Sequence, residues 1–304
     1  MYTTEPLPTA DADGMVRWLT SPAMTALLDA FGFPPLPGAP LTESLALADS
    51  YSDRWDYRQG RERIATTGET FPADLDALIR TTTTALGLAD RRKPQDTSYD
   101  HLLVLGGGVR TMMARSTFAA DIVRSGVHTS TVAGLGSLRV LDHQGGAARK
   151  LGLRSCPTEG DAVHETLRAT FRPAGPVEPR SGPDWWVRSY LDATPQMHVL
   201  AVPSTRPGIR ANTADGYTGW ADLVTQPAAG ARLLLVTTDL FVPFQHLDAV
   251  RTLGLRFGCT IDTIGFATAA NPYVAPSRTF ELLQELRAAI RALRRLHDAL
   301  LHPR

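Results

Sequence analysis

Three short apolar runs constrain this chain more than any other feature: "LLVL" (102–105), "VLAV" (199–202) and "LLLV" (233–236). Each is continuous rather than alternating, as expected of strands covered on both faces. Each ends in glycine or polar residues, and a segment with helical spacing follows. Two further strands are expected in "HTSTVAGLG" (128–136) and "CTIDTIGFAT" (259–268). Strands alternating with helices argue for parallel βαβ units. Residues 99–304 therefore read as a Rossmann-like α/β domain, with a mostly parallel sheet of about five strands flanked by helices. A long helix over 277–301 closes it, and 173–186 reads as a proline-rich excursion.

Residues 1–98 read differently. Helical spacing recurs over 15–33, 41–63 and 71–88, joined by the extended "PPLPGAP" (34–40) and a charged linker (89–98). This is a helical N-terminal region and a possible lid. Its most distinctive stretch is "DRWDYRQGRER" (53–63), where Trp55 and Tyr57 alternate with charged residues and Arg54, Arg58, Arg61 and Arg63 lie close together. Two readings stay open. Trp55 and Arg58 close over a ligand, or the aromatics pack on the α/β domain while the arginines pair with acids.

In an open parallel sheet, ligands bind outside the carboxyl ends of the strands. Unusual residues collect at those ends here. The first strand runs into Gly106, Gly107 and Gly108, a turn able to offer backbone N–H groups to a phosphate or carboxylate, with Arg110 and Arg115 adding charge. The second ends near Gly134. The third leads to Asn212 and Thr213, which also suit a helix cap. The fourth ends in Thr237, Thr238 and Asp239. Asp239 and His246, just after that strand, are the candidates for a general base. No GK[ST] follows the glycines, and the third spaced glycine of a dinucleotide fingerprint is missing, so neither a P-loop nor an NAD or FAD site is expected.

Composition narrows the classes. The 31 basic and 31 acidic residues cancel, which disfavours a general nucleic-acid binder and makes DNA an unexpected partner. Cys156 and Cys259 form no CxxC motif, no HExxH is present, and no metal is expected. No signal-peptide pattern and no apolar stretch of membrane-spanning length occurs, so a cytoplasmic location without membrane association is expected.

The order "YDHLLVLGGGVR", "TVAGLG", an "NT" pair after the third strand and "LLLVTTD" resembles the SanA/ElyC/YdcF-like family (domain of unknown function 218) over about residues 99–268. The resemblance implies a Rossmann-like fold and a pocket formed by Gly106, Gly107, Gly108, Gly134, Asn212, Thr213, Thr237, Thr238 and Asp239. It also implies S-adenosylmethionine as a possible ligand. The chain departs from that pattern. It has no acid shortly before the "NT" pair, Gly216 stands where a second Asn is usual, and Phe241 and Phe244 stand where His and Arg are usual.

The leading expectation is an enzyme, a transferase acting on a small anionic or nucleotide-like metabolite at the strand ends. Two alternatives stand beside it. One is a non-catalytic small-molecule-binding or regulatory protein. The other is a transferase using aminoacyl-tRNA, suggested only by arginine-rich helices such as "RAAIRALRRLH" (287–297).

Overall fold

The computed structural model describes residues 2–59, 67–90, 93–206 and 208–302. Arg61 and Arg63 lie outside them. The N-terminal region supplies α1 (Ala12–Leu19), α2 (Pro22–Ala30), α3 (Leu41–Ser52) and α4 (Ala73–Thr83). Asp11 caps α1 by accepting the Gly14 N–H at 2.5 Å. α3 stops at Ser52, and the turn Asp53–Trp55 follows, so the helix expected over 41–63 is shorter than its periodicity suggests.

The α/β part alternates as expected. β1 (Ser98–Leu105) leads to α5 (Val109–Arg124), and β2 (His128–Ser137) through α6 (Gly145–Lys150) to α7 (Glu159–Phe171). β3 (Glu178–Ser181) and β4 (Trp186–Tyr190) precede β5 (Gln196–Val202) and α8 (Thr213–Leu223). β6 (Arg232–Thr238), α9 (Val242–Ala249), α10 (Leu255–Phe257), β7 (Thr260–Phe266) and α11 (Thr279–Leu301) complete the chain. The sheet has seven strands in the order β3-β4-β5-β2-β1-β6-β7. Strands β5, β2, β1, β6 and β7 are mutually parallel; β3 and β4 run antiparallel. The mixed α/β architecture with N-terminal helices is thus the expected one.

The two additional strands form a hairpin in and beyond the stretch read as an excursion. Trp186 pairs with Ala201 and Tyr190 with Met197, so β4 is a genuine neighbour of β5. β3 is fully exposed and carries Pro179, which is tolerated only on an edge strand. Proline hid the strand because it signals a loop locally, while the sheet edge needs no N–H from that residue.

Each strand sends alternate side chains to opposite faces. Leu102, Val104, Val132, Val199, Leu234 and Val236 face one cluster, shared with Met112 and Ala119 of α5 and Val163 and Leu167 of α7. Leu103, Leu105, Leu135, Leu200, Leu233 and Leu235 face the other. That second cluster continues through Trp220 of α8 and Leu247 of α9 to Leu283, Leu286 and Leu293 of α11, and on to Trp18, Leu27, Leu45 and Ile79 of the N-terminal helices. No helix among the described residues is long and apolar enough to cross a membrane.

Candidate functional site

The chain runs from β1 to β2 to β5 on one side of the sheet, then crosses to β6 on the other. The topological switch point therefore lies between the carboxyl ends of β1 and β6, where doubly wound sheets offer a crevice. Both ends carry residues expected from the sequence, but the structure uses them differently.

At the end of β1, Gly106, Gly107 and Gly108 are half-buried and lead into α5. None has a positive φ. For Gly106 and Gly108 the need for glycine is close approach. A Cβ on Gly106 would sit 2.5 Å from the Leu135 carbonyl oxygen, and one on Gly108 would sit 2.8 Å from Gln144 Oε1. Gln144 reaches α5 from the connector after β2, and its Oε1 accepts the Val109 N–H at 2.7 Å. The N–H groups of Gly107, Gly108, Arg110 and Thr111 have no acceptor among the described residues. They stand at the positive end of a 16-residue helix. Arg110 is exposed in the first turn, where a cation opposes the helix dipole.

Beneath the turn lies Arg115, 2% exposed. Its guanidinium donates to the Leu105 carbonyl at 2.7 Å and to the Gly106 carbonyl, and through Nε and Nη2 to Thr238 Oγ1, each at 3.2 Å. It also lies 5.7 Å from the Phe241 ring centroid. One side chain thus ties the end of β1 to the end of β6 across the switch point.

The polar residues at the end of β6 are engaged within the protein. Thr237 donates to Gln245 Oε1, and Gln245 Nε2 donates to Thr213 Oγ1 at 3.2 Å. Asp239, 5% exposed, accepts the Leu240 N–H at 2.7 Å and the Thr268 N–H at 3.0 Å. It is a hinge pin for the loops after β6 and β7. Asn212 caps α8 through the Ala214 N–H at 2.8 Å, and Asp215 completes a reciprocal capping box. Burial opposes ionisation of Asp215, but hydrogen bonds from Thr205 and the Asn212 N–H outweigh it and hold the carboxyl below its usual range.

The end of β2 adds a third polar group. Ser137 donates to Glu159, whose Oε1 also accepts Arg139 Nη2 at 3.2 Å. Arg139 Nε is shielded from water and has no acceptor among the described residues. A small apolar cluster of Val109, Met113, Leu141, Ala148, Leu153 and Cys156, with Tyr273 against it, fastens the β2–α7 connector beside the glycine turn. Among the described residues, no three His, Cys, Asp or Glu side chains converge as they would around a metal ion.

The remaining expected residues lie elsewhere. Gly134 is buried mid-sheet; a Cβ there would collide with Leu167 and Val163, so its glycine lets α7 press on β2. His246 is 2% exposed and its Nδ1 lies 3.0 Å from Thr263 Oγ1. Thr263 pairs with Leu235, three residues before Thr238, which places it roughly 10 Å short of the strand end. His246 is therefore held against β7 from α9. Trp55 is fully buried, edge-to-face with Phe31 at 5.4 Å. Arg58 pairs with Glu285 of α11 and its N–H donates to Gln284 Oε1 at 2.9 Å. Among the described residues of 53–63, Trp55 packs on Phe31 of the N-terminal region and Tyr57 on Phe280 of α11, while Arg54 and Arg58 pair with Glu69 and Glu285. Arg287, Arg291 and Arg294 pair with Asp49, Asp53 and Asp56, so this side of α11 faces carboxylates.

Sequence reasoning underweighted Arg115 and missed Gln144, Glu159 and Gln245. Arg115 left a signal, a charge within the apolar stripe of Met112 and Ala119. Gln144 left none, because its partner is 35 residues away.

Comparison with known proteins corrects one expectation. A family model described as the Rv3785 N-terminal domain matches residues 3–87. The chain is 29% identical over 320 residues, covering 92% of its length and 87% of theirs, to "Uncharacterized protein Rv3785" of Mycobacterium tuberculosis and "Uncharacterized protein Mb3814" of Mycobacterium bovis. No solved structure matches the chain. Nothing found points to the SanA/ElyC/YdcF-like family. That resemblance rested on strand-end motifs that any doubly wound sheet can share, and S-adenosylmethionine, implied by it alone, loses its ground. The similarity is instead to the Rv3785 proteins, and it includes the N-terminal helices that the earlier resemblance left out.

Proposed function

We propose that this chain binds a small metabolite bearing a phosphate or carboxylate, over the glycine turn at the end of β1, and does so as a binding or regulatory protein rather than a transferase. The observation that carries this reading is the half-buried turn 106–108 at the switch point, whose neighbouring N–H groups lack acceptors while Gln144 Oε1 already supplies one oxygen to Val109. An anion's oxygens suit the same donors. Arg110 adds charge in the first turn of α5.

Catalysis has less support. Of the two candidate general bases, Asp239 accepts two backbone N–H groups and His246 bonds to Thr263, so each has a partner within the protein. The aminoacyl-tRNA alternative relied on arginines that here face carboxylates. The test is thermal denaturation of the full chain with inorganic phosphate, sugar phosphates, nucleotides and amino acids. A ligand at about 100 times its Kd stabilises by about 2.7 kcal/mol, or a Tm shift of about 5 °C. Absence of a shift with every compound defeats the proposal. Saturable binding accompanied by product formation restores the enzyme reading.

A further inference from the structure

The turn's backbone does not by itself choose what it shows a ligand. The Gly106–Gly107 peptide carries no side chain on either residue and could present either edge to the outside. One orientation would show an anion a carbonyl oxygen, which repels it. The other would show an N–H. The bond is trans, since the cis bonds among the described residues are Ala39–Pro40 and Thr194–Pro195. In a trans peptide the C=O and N–H point in opposite directions. The Gly106 carbonyl accepts from Arg115 Nη1, on the inner side of the turn. The Gly107 N–H is therefore directed away from the guanidinium, and it has no acceptor among the described residues.

We infer that Arg115 is a positioning residue for the anion site: it holds the Gly106–Gly107 peptide with its carbonyl inward and so keeps the Gly107 N–H available to a phosphate or carboxylate. This rests on the binding reading above. Three features make Arg115 fit the role. It is buried, and it grips two successive carbonyls, Leu105 and Gly106, with one nitrogen. Its other nitrogens are anchored on Thr238, so the fork cannot swing without leaving β6. It also belongs to α5, the helix whose first-turn N–H groups complete the donor set, so clamp and donors move as one unit. A lysine could not reproduce this, because an ammonium lacks the planar fork.

The experiment is a titration of the 15N-labelled full chain with inorganic phosphate, read by the amide signals and by calorimetry. In the wild-type protein the Gly107 amide is expected among the largest shifts. In Arg115→Met that shift is expected to vanish and phosphate affinity to fall between about 10- and 100-fold, the range for losing hydrogen bonds to a charged group. Arg115→Lys is expected to recover part of the affinity. A folded Arg115→Met protein with wild-type affinity and an unchanged Gly107 shift overturns the inference while leaving the binding reading intact. No binding of inorganic phosphate by the wild type overturns the inference, and no binding of any of the phosphates, nucleotides and amino acids named above removes the binding reading as well. Should Arg115→Met fail to fold, Arg115→Lys decides: an affinity within about twofold of wild type overturns the inference.

Discussion

The ends of β1 and β6 sit side by side at the switch point, yet they have opposite characters. At β1 the chain has no side chains, and several N–H groups lack acceptors among the described residues. At β6 the chain is rich in polar side chains, and Thr237, Thr238 and Asp239 are all committed to Gln245, Arg115 and backbone N–H groups. The polar residues look like the site in the sequence, but they hold the loops together. The glycine N–H groups at 107 and 108, by contrast, have no acceptor among the described residues. A buried polar group must find a partner, so polarity at a strand end measures packing needs as much as ligand chemistry.

The comparison can be broken by mutation. Asp239→Ala removes the acceptor of two buried N–H groups, and about 3 kcal/mol of stability should be lost in urea denaturation. A folded Asp239→Ala protein at wild-type stability would show that β6 is not the structural end. Gly106→Ala puts a Cβ 2.5 Å from a backbone oxygen that cannot yield, whereas Gly107→Ala meets the Thr111 methyl at 3.2 Å and Arg115 Nη1 at an ordinary 3.6 Å. The first should cost about 2 kcal/mol and the second less than about 1 kcal/mol. Equal costs would mean that the turn is uniformly packed and offers no opening.

Acid sharpens the contrast by loading a polar cluster away from both ends. His164 of α7 contacts Tyr190 at 2.9 Å and accepts from Arg188 at 3.2 Å, near Glu165, Arg168 and Asp161. Burial first, then the Arg188 charge, pushes its imidazole from the ordinary 6.5 down to about 4. Between these values the unfolded chain binds the proton and the folded chain does not. Stability is therefore full above pH 6.5 and declines as pH falls towards 4, by about 1–2 kcal/mol after allowing for partial solvent contact. Denaturation at pH 7 and 4.5 should show this slope, and His164→Gln should flatten it. The slope should not depend on the strand-end variants.

The smallest expected change in stability is the most diagnostic. Arg110→Glu replaces an exposed cation by an anion in the first turn of α5, which should stabilise the helix by about 0.5 kcal/mol. The same change should weaken anion binding about tenfold or more. Opposite signs in the two measurements would separate a ligand site from a packing site; a loss of both would merge them.

Much of the fold was legible and much of the site was not. The continuous runs at 102–105, 199–202 and 233–236 became central strands because burial on both faces leaves a local trace. The β3–β4 hairpin escaped because Pro179 reads as a loop. The glycine turn was located correctly, yet its reason was close approach to Leu135 and Gln144 rather than a special φ. Trp55 was a plausible ligand contact and His246 a plausible general base by type, and only packing reveals that Trp55 is buried against Phe31 and that His246 bonds to Thr263 of β7.

Local pattern alone was enough for the mixed α/β class, the N-terminal helices and the place of the glycine turn. Periodicity and burial act over a few residues, so they are written in consecutive positions. Tertiary structure decided which strand end is closed and which keeps its donors. That choice depends on Arg115 reaching back to β1 and across to β6, on Gln144 arriving from the next connector, and on Gln245 bridging β6 to α8. Such partners are selected by three-dimensional proximity, and spacing along the chain carries no record of them.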